Sequence, residues 1–233
     1  MSVILGIETS GLEGLIALQR DGVLLAEVVL DRAKRRHAQS LVSEVQTLLR
    51  QHEIKPAQVD IVATSVGPGS FTGLRVGVVF AKTFSFATGC RLVAVDTLQA
   101  AAAAAPEDVT DVSAVADAMR EELFVGRYQR AANGHWQRLG SITIQSNETW
   151  LQSIAAAAGP RFAVTGPGLV KLIENIPNNV RVLPEADWTP RASNLCVIAA
   201  QLASQNEFAD PINLEPFYLR KSAAEEKLEL ATA

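Results

Sequence analysis

The most specific feature of the sequence is Ile61-Val-Ala-Thr-Ser-Val-Gly67-Pro-Gly-Ser-Phe-Thr-Gly73-Leu-Arg-Val-Gly77. Its first six residues form an apolar run with β-branched members, which predicts a buried strand. The residues after Gly73 continue as an apolar segment that predicts a helix from about 74 to 88. A strand that passes through a glycine-rich loop into a helix is typical of α/β folds.

The glycine loop itself is a candidate anion or nucleotide site, because free backbone N–H groups and the helix dipole converge at a helix N-terminus. No Lys-Ser or Lys-Thr pair follows the glycines, so the loop is not a P-loop. The alternative interpretation is that the glycines make a tight turn and bring helix and strand together. The loop residues that would face an anion are Gly67, Gly69, Ser70, Thr72 and Gly73.

Working outward from the loop, the first half of the chain reads as strands, helices and turns in a regular order. Strands are predicted at 3–7, 15–18, 23–30, 61–66 and 92–95, with Asp21-Gly22 as a hairpin turn. Apolar residues at helical spacing predict helices at 38–49, 74–88 and 98–105. Pro106 ends the last of these and is the best candidate for a domain boundary.

The second half repeats this order. Strands are predicted at 112–116, 123–129, 135–144, 162–164 and 180–183, and helices at 148–157, 169–175 and 194–204, the last of which closes the second lobe. The sequence thus predicts an α/β protein with duplicated βββαβα units. Its parts are a lobe at 1–106, a lobe at 107–213 and a tail at 214–233, with 222–233 disordered.

The composition describes an ordinary globular protein. The 233 residues are 48% hydrophobic and 20% charged, and the net charge of −4 argues against a broad basic surface that grips nucleic acid unaided. Cys90 and Cys196 lie in apolar surroundings and are expected to be buried thiols in a reducing cytosol. No signal peptide and no apolar stretch of about 20 residues is found, so we expect a cytoplasmic protein that does not enter a membrane.

The first strand ends in Glu8, Thr9 and Ser10, directly before a glycine turn. In two-lobed nucleotide-binding folds such a turn faces phosphate and metal, so these three residues join the candidate anion site. The alternative is that the hydroxyl groups only satisfy hydrogen bonds within the turn.

Six elements, in order along nearly the whole chain, resemble the TsaB (YeaZ) family. They are Ile7-Glu-Thr-Ser10, His37, the run 67–77, Asp117-Ala-Met-Arg-Glu-Glu-Leu-Phe124, Val164-Thr-Gly-Pro-Gly168 and Glu215-Pro-Phe-Tyr-Leu-Arg220. Met119 departs from the pattern, because arginine is common there. The resemblance implies a two-lobed actin-like or ribonuclease-H-like (ASKHA) fold.

The resemblance also implies a function in forming N6-threonylcarbamoyladenosine (t6A) at position 37 of ANN-decoding tRNAs. A TsaD-like subunit performs the transfer in that system, a TsaB-like subunit supports it and a TsaE-like ATPase joins them. The implied partners are therefore these two proteins, with a homodimer when the chain is alone and tRNA contacted only through the complex. No cofactor is expected, and ATP is expected to bind only weakly or through the assembled complex.

The residues favour a non-catalytic member of this fold class. TsaD-like enzymes hold their metal with a His-x-x-x-His pair, whereas Thr97 and Ala101 stand at the corresponding places here. A threonine hydroxyl is a poor metal ligand and a methyl group is none. The chain has three histidines, and none lies one helical turn from another. We therefore predict no catalytic residue and no metal site.

Two other functions remain open on the sequence. A small-molecule kinase would need carboxylates for the acceptor hydroxyl and for Mg²⁺, and Glu8, Asp96 and Asp117 are available. Direct RNA binding would use the basic cluster Arg32, Lys34, Arg35 and Arg36.

The partner surface is predicted on the first-lobe helices, because helix 74–88 is apolar on most sides. The prediction assigns Val76, Val79, Phe80, Phe84 and Ala87 to the core. The alternative is that the helix at 38–49 buries the surplus. The predicted interface consists of Leu74, Val78, Ala81, Lys82, Ser85, His37 and Leu41.

Overall fold

The computed structural model describes residues 2–30 and 37–220, and for residues 37–39 the backbone alone. The basic cluster at 32–36 and the predicted disorder at 222–233 lie outside the described residues. Among those that are described, no helix is both long and apolar enough to cross a bilayer.

The first lobe is built on a five-stranded sheet. Its strands are β1 Val3–Glu8, β2 Leu15–Arg20, β3 Val23–Val29, β4 Ile61–Gly67 and β5 Arg91–Asp96, in the spatial order β3-β2-β1-β4-β5. β1, β2 and β3 pair antiparallel, while β4 pairs parallel to β1 and β5. The accompanying helices are α1 His37–Gln51, α2 Phe71–Thr88 and α3 Thr97–Ala102.

The second lobe repeats this topology. Its strands are β6 Asp111–Met119, β7 Glu122–Arg130, β8 Trp136–Arg138, β9 Thr143–Ser146, β10 Phe162–Thr165 and β11 Arg181–Val182, with helices α4 Asn147–Ala157 and α5 Ala192–Ser204. The order β11-β10-β6-β7-β8 matches β5-β4-β1-β2-β3 strand for strand. The predicted duplicated two-lobed α/β fold is therefore confirmed.

Two predicted elements of the second lobe were wrong. The expected strand at 135–144 is divided into β8 and β9, because Gly140 adopts a φ of 75° that interrupts an extended strand. The expected helix at 169–175 is replaced by two short 3₁₀ helices, Pro167–Lys171 and Ile173–Asn175. Gly166, with a φ of 112°, and Pro167 impose this tight turn at the point where a helix would begin.

The prediction that the last helix closes the second lobe was also wrong. α5 packs on the first sheet, where its buried Leu195 and Cys196 share a core with Ile4 and Ala17. The approach is so close that a methyl group on Gly6 would lie 2.5 Å from a carbonyl oxygen of α5. In the other direction, α3 contributes Leu98 and Ala102 to the core of the second lobe. The two lobes thus hold each other through their last helices.

Candidate functional site

The glycine loop and the β1–β2 turn are hydrogen-bonded to each other. The N–H of Ser70 donates to the carbonyl of Ser10 (2.7 Å), and the Thr9 hydroxyl donates to the carbonyl of Gly73 (2.8 Å). Ser70 caps α2 by accepting the Gly73 N–H on Oγ at 3.3 Å. The structure therefore brings the eight predicted anion-site residues into one cluster.

Close packing accounts for the glycines of this cluster. A methyl group at Gly73 would lie 1.9 Å from the carbonyl oxygen of Thr9, and one at Gly77 would lie 2.3 Å from Thr9 Oγ1. A methyl group at Gly69 would lie 2.7 Å from Ser10. The alternative interpretation, a tight turn that presses helix against strand, thus accounts for Gly69, Gly73 and Gly77 without a ligand.

Glu8 lies at the centre of the cluster with its carboxyl group buried. Its Oε1 accepts the N–H of Ser10 at 2.6 Å, whereas Oε2 has no hydrogen-bond partner within the usual distance among the described residues. The buried hydroxyl of Ser65, on β4, lies close to this carboxyl group and favours its charged form. Burial raises the pKa of Glu8 to about 7, although the hydrogen bonds from Ser10 favour the charged form.

The two positions compared with the TsaD-like metal pair are part of the core. Thr97 is buried and its hydroxyl accepts the N–H of Gly67 at 3.1 Å, while Ala101 is buried completely. Within the part of the chain that the structure describes, no three residues of the types His, Cys, Asp and Glu are grouped so that they could hold a metal ion.

Asp96, one of the candidate kinase carboxylates, is a junction between the lobes. Its Oδ2 accepts the Tyr128 hydroxyl (2.7 Å) and pairs with Arg138 (3.1 Å), and its Oδ1 caps α3 by accepting the N–H of Leu98 (2.9 Å). Burial raises its pKa, although Tyr128 and Arg138 favour the charged form. The carboxylate thus anchors second-lobe side chains to the end of β5.

Asp117, the other candidate, lies at the β6–β7 hairpin, where it pairs with Lys171 and accepts the N–H of Met119. Its partial burial opposes ionisation, but the hydrogen bonds from Lys171 and Met119 together with the charge of Lys171 outweigh this effect, and the pKa lies below its ordinary value. Each of the three candidate kinase carboxylates is therefore engaged by the fold itself.

The prediction that Leu74, Val78, Ala81 and Ser85 of α2 face a partner protein was wrong. Leu74, Val78, Ala81 and Ser85 are buried, and the Ser85 hydroxyl donates to the carbonyl of Cys90 at 2.7 Å. The small residues let the helix lie close to its sheet, so this side forms the core and not the outer surface. Leu41 of α1 is buried as well.

Lys82 and His37 were also predicted to lie in the partner interface. Lys82 is committed to the chain's own backbone, because its Nζ donates to the carbonyls of Ile212 (3.1 Å) and Leu214 (2.9 Å). His37 begins α1, but its side chain lies outside what the structure describes.

Of the α2 residues that the sequence assigned to the core, Val79 and Ala87 are exposed, whereas Val76, Phe80 and Phe84 are half-buried and pack against the core of the first lobe. Val79 is 61% exposed, as is Val42 of α1, and Phe86 is 91% exposed. The outward side chains of the two helices line a groove of about 400 Å³, which we call the α1–α2 groove. Its lining residues are Leu41, Val42, Arg75, Val76, Val79, Phe80 and Thr83. The signal missed in the sequence is the stripe Gly73, Gly77, Ala81 and Ser85, whose spacing of four marks the sheet side.

Comparison with known proteins gives consistent results. The family model described as "TsaD: tRNA N6-adenosine threonylcarbamoyltransferase" matches residues 24–228. The TsaB protein of Bacillus subtilis (strain 168), named a tRNA threonylcarbamoyladenosine biosynthesis protein, is 30% identical over 227 residues, 96% of each chain. The protein of that name from Escherichia coli (strain K12) is 28% identical over 97% of each chain. The structure of YeaZ from Pseudomonas aeruginosa, 27% identical, aligns with a TM-score of 0.78 over 94% of this chain and all of that one.

Proposed function

From the premise that this chain belongs to the TsaB (YeaZ) family, which functions in t6A biosynthesis, we propose that it is a non-catalytic partner subunit. It binds a TsaD-like catalytic subunit and supports, together with a TsaE-like ATPase, the modification of position 37 in ANN-decoding tRNAs. When the catalytic subunit is absent, a second copy of the chain occupies the same surface.

The observation that carries this proposal is the α1–α2 groove. Val42 and Val79 each expose 61% of their area, and the ring of Phe80 lies half-buried beside them. A contiguous apolar surface of this kind on a folded domain marks a protein contact. Arg75 lies at its rim, stacked over the ring of Phe71 at 4.0 Å, and gives the groove a polar margin.

The residues at the family's catalytic positions support the non-catalytic role. Thr97 and Ala101 are buried and offer no metal ligand. The match of the TsaD family model is explained by common descent of the two subunits, because fold and function separate in this way within large superfamilies. A shared fold also explains how one groove could receive either a TsaD-like lobe or a second copy.

The docking test uses residues that are exposed, so that folding is spared. Val42→Arg combined with Val79→Arg places two charges in the groove, and each is costly to desolvate in an apolar contact. We expect this variant to lose both the homodimer in light scattering and the complex with the TsaD-like subunit in pull-down, while its circular dichroism is unchanged.

The matched control is Val197→Arg, because Val197 is also an exposed helical valine, at 56%, but lies on α5. It should retain both assemblies. Val78→Arg with Ala81→Glu, by contrast, should unfold the lobe, since both side chains lie in the core. A folded Val42→Arg/Val79→Arg variant that keeps both assemblies would place the partner surface elsewhere.

Activity provides a second test. The isolated chain should not modify tRNA, whereas addition of the TsaD-like subunit, the TsaE-like ATPase and their substrates should restore t6A formation. Calorimetry with ATP and Mg²⁺ should give weak or no binding to the chain alone. Metal-dependent ATP turnover by the chain alone would instead favour a phosphotransferase.

A further inference from the structure

The segment after α5, residues 205–220, leaves the second half of the chain and runs along the first lobe; we call it the C-terminal strap. The N–H of Ala209 donates to the carbonyl of Leu92 at 2.8 Å, on the outer strand β5. Phe208 lies under the guanidinium of Arg91, whose carbon is 3.9 Å from the ring centre. Lys82 then holds the strap against α2 through the carbonyls of Ile212 and Leu214.

The strap next reaches the glycine loop. The N–H of Phe217 donates to the carbonyl of Val66 at 2.6 Å, at the end of β4. The contact is close enough that a methyl group on Gly67 would lie 2.8 Å from the carbonyl oxygen of Phe217. The following residue, Tyr218, packs its ring 4.8 Å from that of Phe71, and its hydroxyl accepts the Nε–H of Arg75 at 3.0 Å.

The end of the strap is fixed to the other lobe. The guanidinium of Arg220 donates to the carbonyl of Ala118 and pairs with the carboxylate of Glu122, at the β6–β7 hairpin. Leu219 packs against the hydrophobic core of the second lobe. Within four residues the strap therefore passes from β4 of the first lobe to the hairpin of the second.

We propose that the C-terminal strap is the ligand of the glycine loop and that it fastens the two lobes together. The carbonyl of Val66 at the end of β4 accepts a hydrogen bond from the strap backbone, Gly67 lies against that backbone, and the ring of Phe71 packs on Tyr218. The hairpin at 117–124 supplies the second anchor through Ala118 and Glu122. The runs 67–77, 117–124 and 215–220 are thus parts of one intramolecular contact.

Two consequences can be measured. While the strap is seated, the Phe217 amide should exchange slowly with solvent, and the lobes should unfold together. Arg220→Gln removes the anchor on the second lobe without touching the glycine loop. We expect the exchange of the Phe217 amide to become at least tenfold faster, whereas that of the Ala209 amide, bound upstream on β5, changes less than twofold.

The unfolding transition reports on the lobes separately, because Trp136, Trp150 and Trp188 are the three tryptophans of the chain and all lie in the second lobe. In the wild type, tryptophan fluorescence and far-ultraviolet circular dichroism should give coincident urea transitions. In Arg220→Gln the two curves should separate. Glu122→Gln removes the same ion pair from its other side and should give the same result, which provides a second variant if the first fails to fold.

The matched control is Arg181→Gln, which breaks another arginine–carboxylate pair, with Asp108, inside the second lobe. It should leave both the Phe217 amide and the coincidence of the two transitions unchanged. These measurements use the chain alone, so their outcome is independent of partner binding. If Arg220→Gln and Glu122→Gln exchange and unfold as the wild type does, the strap does not fasten the lobes and the proposal is overturned.

Discussion

The buried carboxyl group of Glu8 makes the stability of this protein depend on pH in an unusual direction. Its pKa is raised from 4.5 to about 7 by burial. The perturbation is Glu8→Gln, which keeps the size of the side chain and the acceptor for the N–H of Ser10. The amide cannot ionise.

The direction of this pH dependence follows from the linkage between proton binding and folding. A group whose pKa is higher in the folded state binds its proton more tightly there, so its contribution is fully favourable below the unfolded pKa of 4.5. That contribution is lost as the pH rises, and the loss is complete above the folded pKa of about 7. A pKa difference of this size corresponds to about 3 kcal/mol, at about 1.4 kcal/mol for each pH unit.

The assay is urea unfolding of wild type and Glu8→Gln at several pH values between 4 and 8.5, with the free energies of unfolding compared at each pH. The difference between the two should move in favour of glutamine by about 3 kcal/mol across this range, most steeply between pH 4.5 and 7. Glu174→Gln, at an exposed position, is the matched control and should show no such trend. A Glu8→Gln difference that is constant with pH would refute the raised pKa of Glu8.

Two other predictions concern the same region. Gly73→Ala should destabilise the fold by about 3 kcal/mol or more in chemical denaturation, because the new methyl group would lie 1.9 Å from the carbonyl oxygen of Thr9. The control Gly159→Ala should be nearly neutral, because the nearest atom to its methyl group would be 3.9 Å away. Asp96→Ala should cost about 2–4 kcal/mol in thermal unfolding, since the Tyr128 hydroxyl loses its acceptor and α3 loses its cap; full stability of Asp96→Ala would contradict the inter-lobe role.

The sequence predicted most of the fold because the informative signals are local. The apolar strands of the first lobe and the Asp21-Gly22 turn are encoded over a few residues, and the structure has them where the sequence predicted them. The strand at 135–144 and the helix at 169–175 failed at local glycine and proline residues, whereas the placement of α5 depends on contacts distant in the chain. α5 carries an apolar face that either sheet could cover, and only the three-dimensional structure reveals that it packs against Gly6 of the first lobe.

The candidate site likewise has parts that the sequence predicted and parts that depend on contacts between distant residues. Analogy with two-lobed nucleotide-binding folds indicated that Glu8, Thr9 and Ser10 belong with the glycine loop. The structure brings them together because β1 and β4 are parallel neighbours that end at the same edge of the sheet. The sequence could not show that the loop is occupied by Phe217 and Tyr218, since these residues are about 150 positions away along the chain. Separation of that kind leaves no periodic signal.

The wrong assignment of the buried side of α2 shows that residue size, and not hydrophobicity, distinguishes the two sides of this helix. Helix 71–88 is apolar on nearly every side, so hydrophobicity cannot distinguish the core face from the outer face. Residue size can, because a helix that lies close to a sheet needs small residues along the contact, and Gly73, Gly77, Ala81 and Ser85 form such a stripe. The large side chains Val79 and Phe86 are therefore left on the outside, 61% and 91% exposed. This exposed apolar side of α2 is the reason why we propose the partner surface there.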